Sequence, residues 1–407
     1  MVVLLDEGIE ARLLLQQVRH RRSIEHRRRT KVLFAHLSHR KGTASGAHIF
    51  LVLRLIVLIL GLVAVAFACY GIGSGGRFYF AVAKDPFRHF ETGHWFHESI
   101  LHTGLAYALG FNNSHLSFSL FVLAFSPLTL LYLGIQVARR LSETWAYLFL
   151  LLLTFHPVTL IHYTWVLHPD ALVALFTAVV FFSYAPVVIF IACTLGALAH
   201  ASQFLVVLLL CFLIRMTFES AAMSPMKLAA AASLGWLLGK TLVWLYLRHF
   251  DIDIASTRLT IFIDPESHRR VQQFLLNPWT TLYTLYAGYW VLAVAVGYAL
   301  RQLSRKHFWV FLLSQVIAGA VTFLTADTTR VFATLTWAPL TFCAIYVLVH
   351  VHRLTPRQGQ VFKGIVVGSL VLGMVCPKLY SFSGIIWTMD ETRGYLQQVL
   401  RDAGVAR

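Results

Sequence analysis

"AHIFLVLRLIVLILGLVAVAFACYG", residues 47–71, decides the class of fold, because it runs for 25 residues with Arg54 as its one charge. A helix rises about 1.5 Å per residue, so such a run reaches across the roughly 30 Å hydrocarbon core of a bilayer. Backbone N–H and C=O groups have no water to bond there, which leaves the helix as the conformation for a single apolar run. The basic stretch before it is too long for a signal peptide, and no clear small-residue cleavage site follows it. The segment is therefore expected to remain as a first membrane span.

Composition extends this reading to the whole chain. The 407 residues are 58% hydrophobic and 13% charged, which excludes an ordinary soluble domain. Apolar stretches recur at about 47–71, 116–137, 144–162, 170–184, 186–200, 202–216, 227–247, 281–300, 308–325, 331–350 and 362–379. The expected fold is all-α: a polytopic membrane protein with about 11 transmembrane or partly spanning helices. The three from 170 to 216 are short and nearly continuous, as tilted or partial spans would be. The five cysteines all lie in apolar runs without metal-ligand spacing, so they read as buried small side chains.

The formal charge of +16 would point a soluble chain toward nucleic acid, but ten of the Lys and Arg fall in the first 46 residues and others in short turns. Anionic headgroups account for them without a nucleic-acid partner. With residues 1–46 as a basic cytoplasmic segment, "ARR", "RQLSRK" and "HRLTPRQGQVFK" all fall on the cytoplasmic side of a membrane domain spanning 47–380. The long loops 72–115 and 248–280, "LHPD", His200, "ADTTR" and the tail 381–407 then share the outer side. Residues 10–38 read either as a basic amphipathic helix or as a disordered leader.

Polar residues gather on that outer side. In the first loop His94, Glu98 and His102 recur every four residues, as on one face of a helix. This predicts an interfacial helix with a solvated polar stripe, or a helix that meets substrate; the order HWFHE departs from the zinc motif HExxH. Asp85 precedes Pro86, which biases it to an extended or turn conformation. It is either a turn aspartate or a general base with a free carboxylate. Asp170 in "LHPDAL" offsets the positive end of a helix or lines a site beside His168. Asp251 and Asp253 form a lone DxD, weak as a metal-diphosphate signal and read as an exposed turn. Lys240 lies within a span, where a charge costs about 2.5–3.5 kcal/mol and needs water or an anionic partner: it either snorkels to the interface or meets a phosphate or carboxylate. In "FLTADTTRVFATLTW", Asp327 and Arg330 fall on adjacent turns of one helix face. They form either a structural pair or a phosphate clamp in which Asp327 holds the guanidinium.

This layout resembles the GT-C class of integral-membrane glycosyltransferases. The likeness rests on "AKDPFRHFETGHWFHESILHTGLAYALGF" after the first span, "TWVLHPDALVALFTAVVFF" at a later helix start, and "LTADTTRVFATLTWAPL" near the end. It implies transfer of a sugar from a polyprenyl-phosphate donor to an envelope glycan or lipid, on the periplasmic face of a bacterial inner membrane. It also matches Asp85 to the acidic catalytic position, although "GIGSGGRFYFAVAK" separates Asp85 from the first span more than is usual in the class. Arg330 and Lys240 would then face phosphate, with Asp327, Asp170, His168, His94, Glu98 and His102 lining the site. The sequence identifies no cofactor, and a divalent metal is compatible. A surface-polysaccharide polymerase or ligase would use the same face, and a transporter or non-catalytic scaffold is the reading from another class.

Overall fold

The computed structural model describes residues 45–73, 76–88, 94–218, 225–252, 272, 275–325, 327–382 and 385–388, with the side chains of 45–48, 94, 95 and 225 excepted. The expected leader helix at 10–38, Asp253 and most of the tail 381–407 lie outside the described residues. The chain divides into two compact units, 1–54 and 55–407, and the contacts below belong to the second.

The helices, in chain order, are α1 (Ser45–Tyr70), α2 (Arg77–Lys84), α3 (Ile100–Ala108), α4 (His115–Leu123), α5 (Phe125–Arg140), α6 (Glu143–Thr154), α7 (Pro157–Thr164) and α8 (Asp170–Phe182). They continue as α9 (Pro186–Phe218), α10 (Pro225–His249), α11 (Pro278–Tyr286), α12 (Trp290–Leu303), α13 (Arg305–Phe323), α14 (Thr328–Val349) and α15 (Pro356–Val375). Among the described residues eight helical stretches are long and apolar enough to cross a membrane, or nine if the bent pair α6–α7 is one span. This is an all-α polytopic membrane protein. The difference from the 11 expected segments arises at three places. The stretch 144–162 is bent by 51° between α6 and α7, 170–184 forms a 13-residue helix, and 186–216 is one helical element.

That last element is interrupted. A straight helix of 33 residues would be about 50 Å long, well beyond a bilayer core, and His200 leaves helical geometry at φ −165°, ψ 84°. After it Gln203 reaches Asp170 at the start of α8, while Arg215 reaches Val180 and Ser183 at the end of α8. The second half of α9 thus runs alongside α8 in the same direction, back toward the end from which Pro186 set out. The two halves fold against each other at His200, whose Nδ1 accepts the Gln203 N–H and starts the returning helix. Against the first half, Gly235 and Gly239 of α10 let backbones meet: a Cβ at either would lie 2.3 Å from Phe190 O or 2.5 Å from Thr194 O.

The bend between α6 and α7 frees carbonyls inside an apolar bundle, and each finds a side-chain donor. Tyr289 Oη donates to Leu152 O at 2.6 Å, Thr159 Oγ1 to Leu153 O at 2.6 Å, and Tyr70 Oη to Thr154 O at 3.0 Å. Lys378 Nζ donates to Phe155 O at 3.1 Å. Pro157 starts the new helix, where its missing N–H is not needed, and His156 Nδ1 accepts the Val158 N–H.

The turns sort to two ends. At one end Arg140 donates to Phe182 O, Arg215 donates to Ser183 O, and both guanidinium groups lie over Tyr184. There Phe218 stacks on His307 and meets Tyr346. At the other end Gly73 N donates to Tyr163 O, Asp170 meets Gln203 and Arg330, and Ser381 N donates to Thr329 Oγ1. A departure from all-α sits at this second end. Strands β1 (Tyr380–Phe382) and β2 (Ile385–Trp387) pair antiparallel and pack by Phe382 on Trp165.

Candidate functional site

Arg330, in the first turn of α14, is 11% exposed and gathers groups from the turn 165–170 and from Asp327 just before its own helix. Its Nη1 lies 3.2 Å from Asp170 Oδ2 and 2.8 Å from His168 Nδ1, and its Nη2 binds Asp327 Oδ2. Its guanidinium carbon stands 5.6 Å from the centre of the Trp165 ring. A guanidinium can only donate, so His168 Nδ1 must accept, which makes that imidazole neutral with its proton on Nε2. One guanidinium therefore faces two carboxylates, for a formal charge of −1. Asp170, 1% exposed, uses its other oxygen to accept from Gln203 Nε2 at 3.4 Å. Arg330 Nε and Asp327 Oδ1 are buried without a hydrogen-bond partner.

The chain after α1 closes over this cluster because glycines let it pass. Gly76 has φ +91°, a conformation other residues rarely hold, and a Cβ there would lie 2.5 Å from His168 Cδ2. From that point α2 delivers Tyr79, whose ring meets His168 edge-on at 4.8 Å and His102 at 4.9 Å. His102 Nε2 donates to Leu167 O at 3.2 Å, and complete burial drives its pKa from 6.5 down to about 3. It is a neutral core histidine that ties α3 to the turn carrying His168.

A second cluster lies on α10. Lys240 Nζ is 3.8 Å from Glu98 Oε1; the lysine is 41% exposed and the glutamate 6%. One and a half turns farther on, Tyr246 Oη donates to Pro86 O and lies 3.4 Å from His97 Nδ1. Asp85, adjacent to Pro86, ends α2 in the open, with Oδ1 accepting the Phe87 N–H at 3.3 Å. Asp85 and Lys240 are thus tied to one neighbourhood through Tyr246, His97 and Glu98. Nine residues of near-helical rise place Asp85 about 13 Å along the chain from Gly76.

These positions revise several expectations. Asp327 and Arg330 do form the i, i+3 pair, and Asp170 and His168 complete it. Asp170 starts a helix, but its carboxylate serves Arg330 and Gln203 instead of capping N–H groups. Lys240 has its carboxylate, Glu98. The interfacial stripe is overturned. Residues His94–Ser99 form a 3₁₀ helix, which breaks the every-fourth-residue alignment, and α3 begins only at Ile100. Glu98 and His102 are buried. Ile100 packs on Val243 and Leu247 of α10 and on Ile252 just beyond it, while Glu98 meets Lys240 and His102 meets Leu167 O. The side chain of His94 lies outside the described residues. Asp251 has φ +50°, as in a tight turn.

Sequence reading missed Tyr79, Trp165, Gln203, Tyr246 and the strand pair. The strands had a local signal, since "YSFSGIIW" sets aromatic and β-branched residues about a Ser-Gly turn. Among the described residues no three His, Cys, Asp or Glu side chains are grouped so as to hold a metal ion. No family model, no curated protein and no solved structure matches the chain.

Proposed function

We propose that the protein is a membrane glycosyltransferase that moves a sugar from a polyprenyl-phosphate donor to an envelope glycan or lipid, at the end of the bundle opposite its basic turns. The observation that carries this reading is that an exposed carboxylate, Asp85, and a partly exposed cation, Lys240, are both tied to α10 and to the 97–98 turn, Asp85 through the Pro86–Tyr246 contact and Lys240 through Glu98. Ionisable groups within a membrane domain are retained for function more often than for stability. The GT-C likeness in layout agrees with it.

In this reading Asp85 takes the proton from the acceptor hydroxyl as its oxygen bonds to the sugar C1. The C1–O bond to phosphate breaks, and polyprenyl phosphate leaves. Lys240, placed by Glu98, offsets charge gathering on the departing phosphate, the expected major contribution in such a reaction. Arg330 is buried between two carboxylates, Asp327 and Asp170, whereas Lys240 has one and is 41% exposed, so the phosphate role passes to Lys240. The Arg330 cluster then fixes the turn that carries His168 against α2 and so positions Asp85. The acceptor is an envelope glycan or lipid, and the membrane is a bacterial inner membrane with the N-terminus in the cytoplasm.

The test supplies the purified protein in vesicles with radiolabelled polyprenyl-phosphate hexoses and pentoses and measures release of polyprenyl phosphate. A general base contributes about 10²–10⁴-fold, so Asp85→Asn should lower turnover by at least about 100-fold with unfolding temperature unchanged. Equal turnover removes Asp85 from the mechanism, and no release from any donor removes the reading. A second reading, a non-catalytic scaffold or transporter, is favoured by one fact: Arg330 has its charge partners within the protein. It predicts that Asp85→Asn and Lys240→Gln are both silent.

A further inference from the structure

At the opposite end from these clusters, α12 and α15 border an open apolar cavity of about 630 Å³. Trp290 and Val294 line its depth along α12, and Ile365 faces them from α15. Polar groups occur at one end of it: Gln302 from α12, with Arg357 and Gln358 from the first turn of α15. From Trp290 to Gln302 the helix rises about 18 Å, close to the roughly 15 Å depth of one leaflet's hydrocarbon. Trp290 follows the helix break at Ala287, so the cavity ends where the span is interrupted and does not continue to the other end.

The polar end has the chemistry for a phosphate. Arg357 is exposed and makes no ion pair with a described residue. Gln358 Oε1 is occupied by the Thr355 N–H in the capping box, which leaves its NH₂ group to donate. The positive end of α15 adds to the same field. Arg353, in the turn just before α15, adds positive charge at the same end.

We infer that this cavity is a binding site for an anionic glycerophospholipid, with one acyl chain between α12 and α15 and the phosphate at Arg357, Gln302 and Gln358. The site does not depend on the transferase reading, since it shares no residue with Asp85, Lys240 or Arg330.

The test is native mass spectrometry of the full chain titrated with phosphatidylglycerol or phosphatidylcholine carrying the same two acyl chains. A basic residue at a membrane surface strengthens anionic lipid binding by about fivefold, so phosphatidylglycerol should be preferred by that factor or more. Arg357→Gln should abolish the preference, Lys363→Gln should keep it, and Val294→Trp, which fills the cavity, should weaken both lipids. Arg357 has no ion-pair partner among the described residues to strand, and unfolding temperatures check that each variant is folded. A preference that survives Arg357→Gln, an equal loss in Lys363→Gln, or unaltered binding by Val294→Trp overturns the inference. Displacement of lipid by glycerol phosphate alone also overturns it, since the site would then be one for free phosphate.

Discussion

Arg330 shows what one side chain in this bundle must satisfy. It is held by Asp327, Asp170 and His168. Removing one member of a buried ion pair strands the other, at about 3–5 kcal/mol, even where the pair itself adds little. Asp170→Leu should therefore destabilise the protein by about 3 kcal/mol, the low end because Asp327 still faces the guanidinium. Thermal unfolding in detergent measures this. Arg330→Lys should also be destabilising, because an ammonium cannot spread its donors as the planar fork does. At this scale the sequence disclosed the i, i+3 pair by spacing alone. It could not disclose Asp170 or His168 as partners, which lie 160 and 162 residues away.

His102 makes a pH prediction of known sign. In the unfolded chain its imidazole takes a proton as pH falls through 6.5, whereas burial in the fold withholds that proton until about pH 3. Between those values the unfolded state binds more protons, so stability that is complete above pH 6.5 declines as pH falls, by about 1.4 kcal/mol per unit. His102→Gln, whose amide can still donate to Leu167 O, should lose that one-proton slope between pH 5 and 6.5. An unchanged slope in unfolding free energy would place His102 in water.

At the scale of elements, the α6–α7 bend is the most demanding feature, because each unpaired carbonyl in an apolar interior is costly. Tyr289→Phe leaves Leu152 O without its donor and should cost about 1–3 kcal/mol, read as a lowered unfolding temperature. Gly239→Val should cost at least as much, since its side chain must displace Thr194 O on α9. His156-Pro157 was visible in the sequence inside the expected segment 144–162, but periodicity alone did not mark it as a bend. The donors that make the bend tolerable, Tyr70, Tyr289 and Lys378, come from distant segments, and no local pattern announces them. The first-loop helix failed for a related reason. Period-four spacing of His94, Glu98 and His102 assumes a continuous α-helix, and the 3₁₀ turn before Ile100 removes that assumption.

At the scale of the molecule, hydropathy and charge carried most of the information. Seven of the eleven apolar segments fall one to one on helical stretches long enough to cross a membrane, because length and apolarity are what a bilayer selects. Arg140, Arg215 and the turn at His307 lie at one end, and Asp170, Gln203 and Arg330 at the other, as alternating spans require. The central claim is that the second end, with Asp85 and Lys240, works outside the cell. It is tested most directly by single cysteines at Asp251 and at Arg305, in a variant whose five native cysteines are serine or alanine. The account predicts that an impermeant maleimide labels position 251 in intact cells and position 305 only after the membrane is opened; labelling of 305 in intact cells, with 251 protected until lysis, would contradict it.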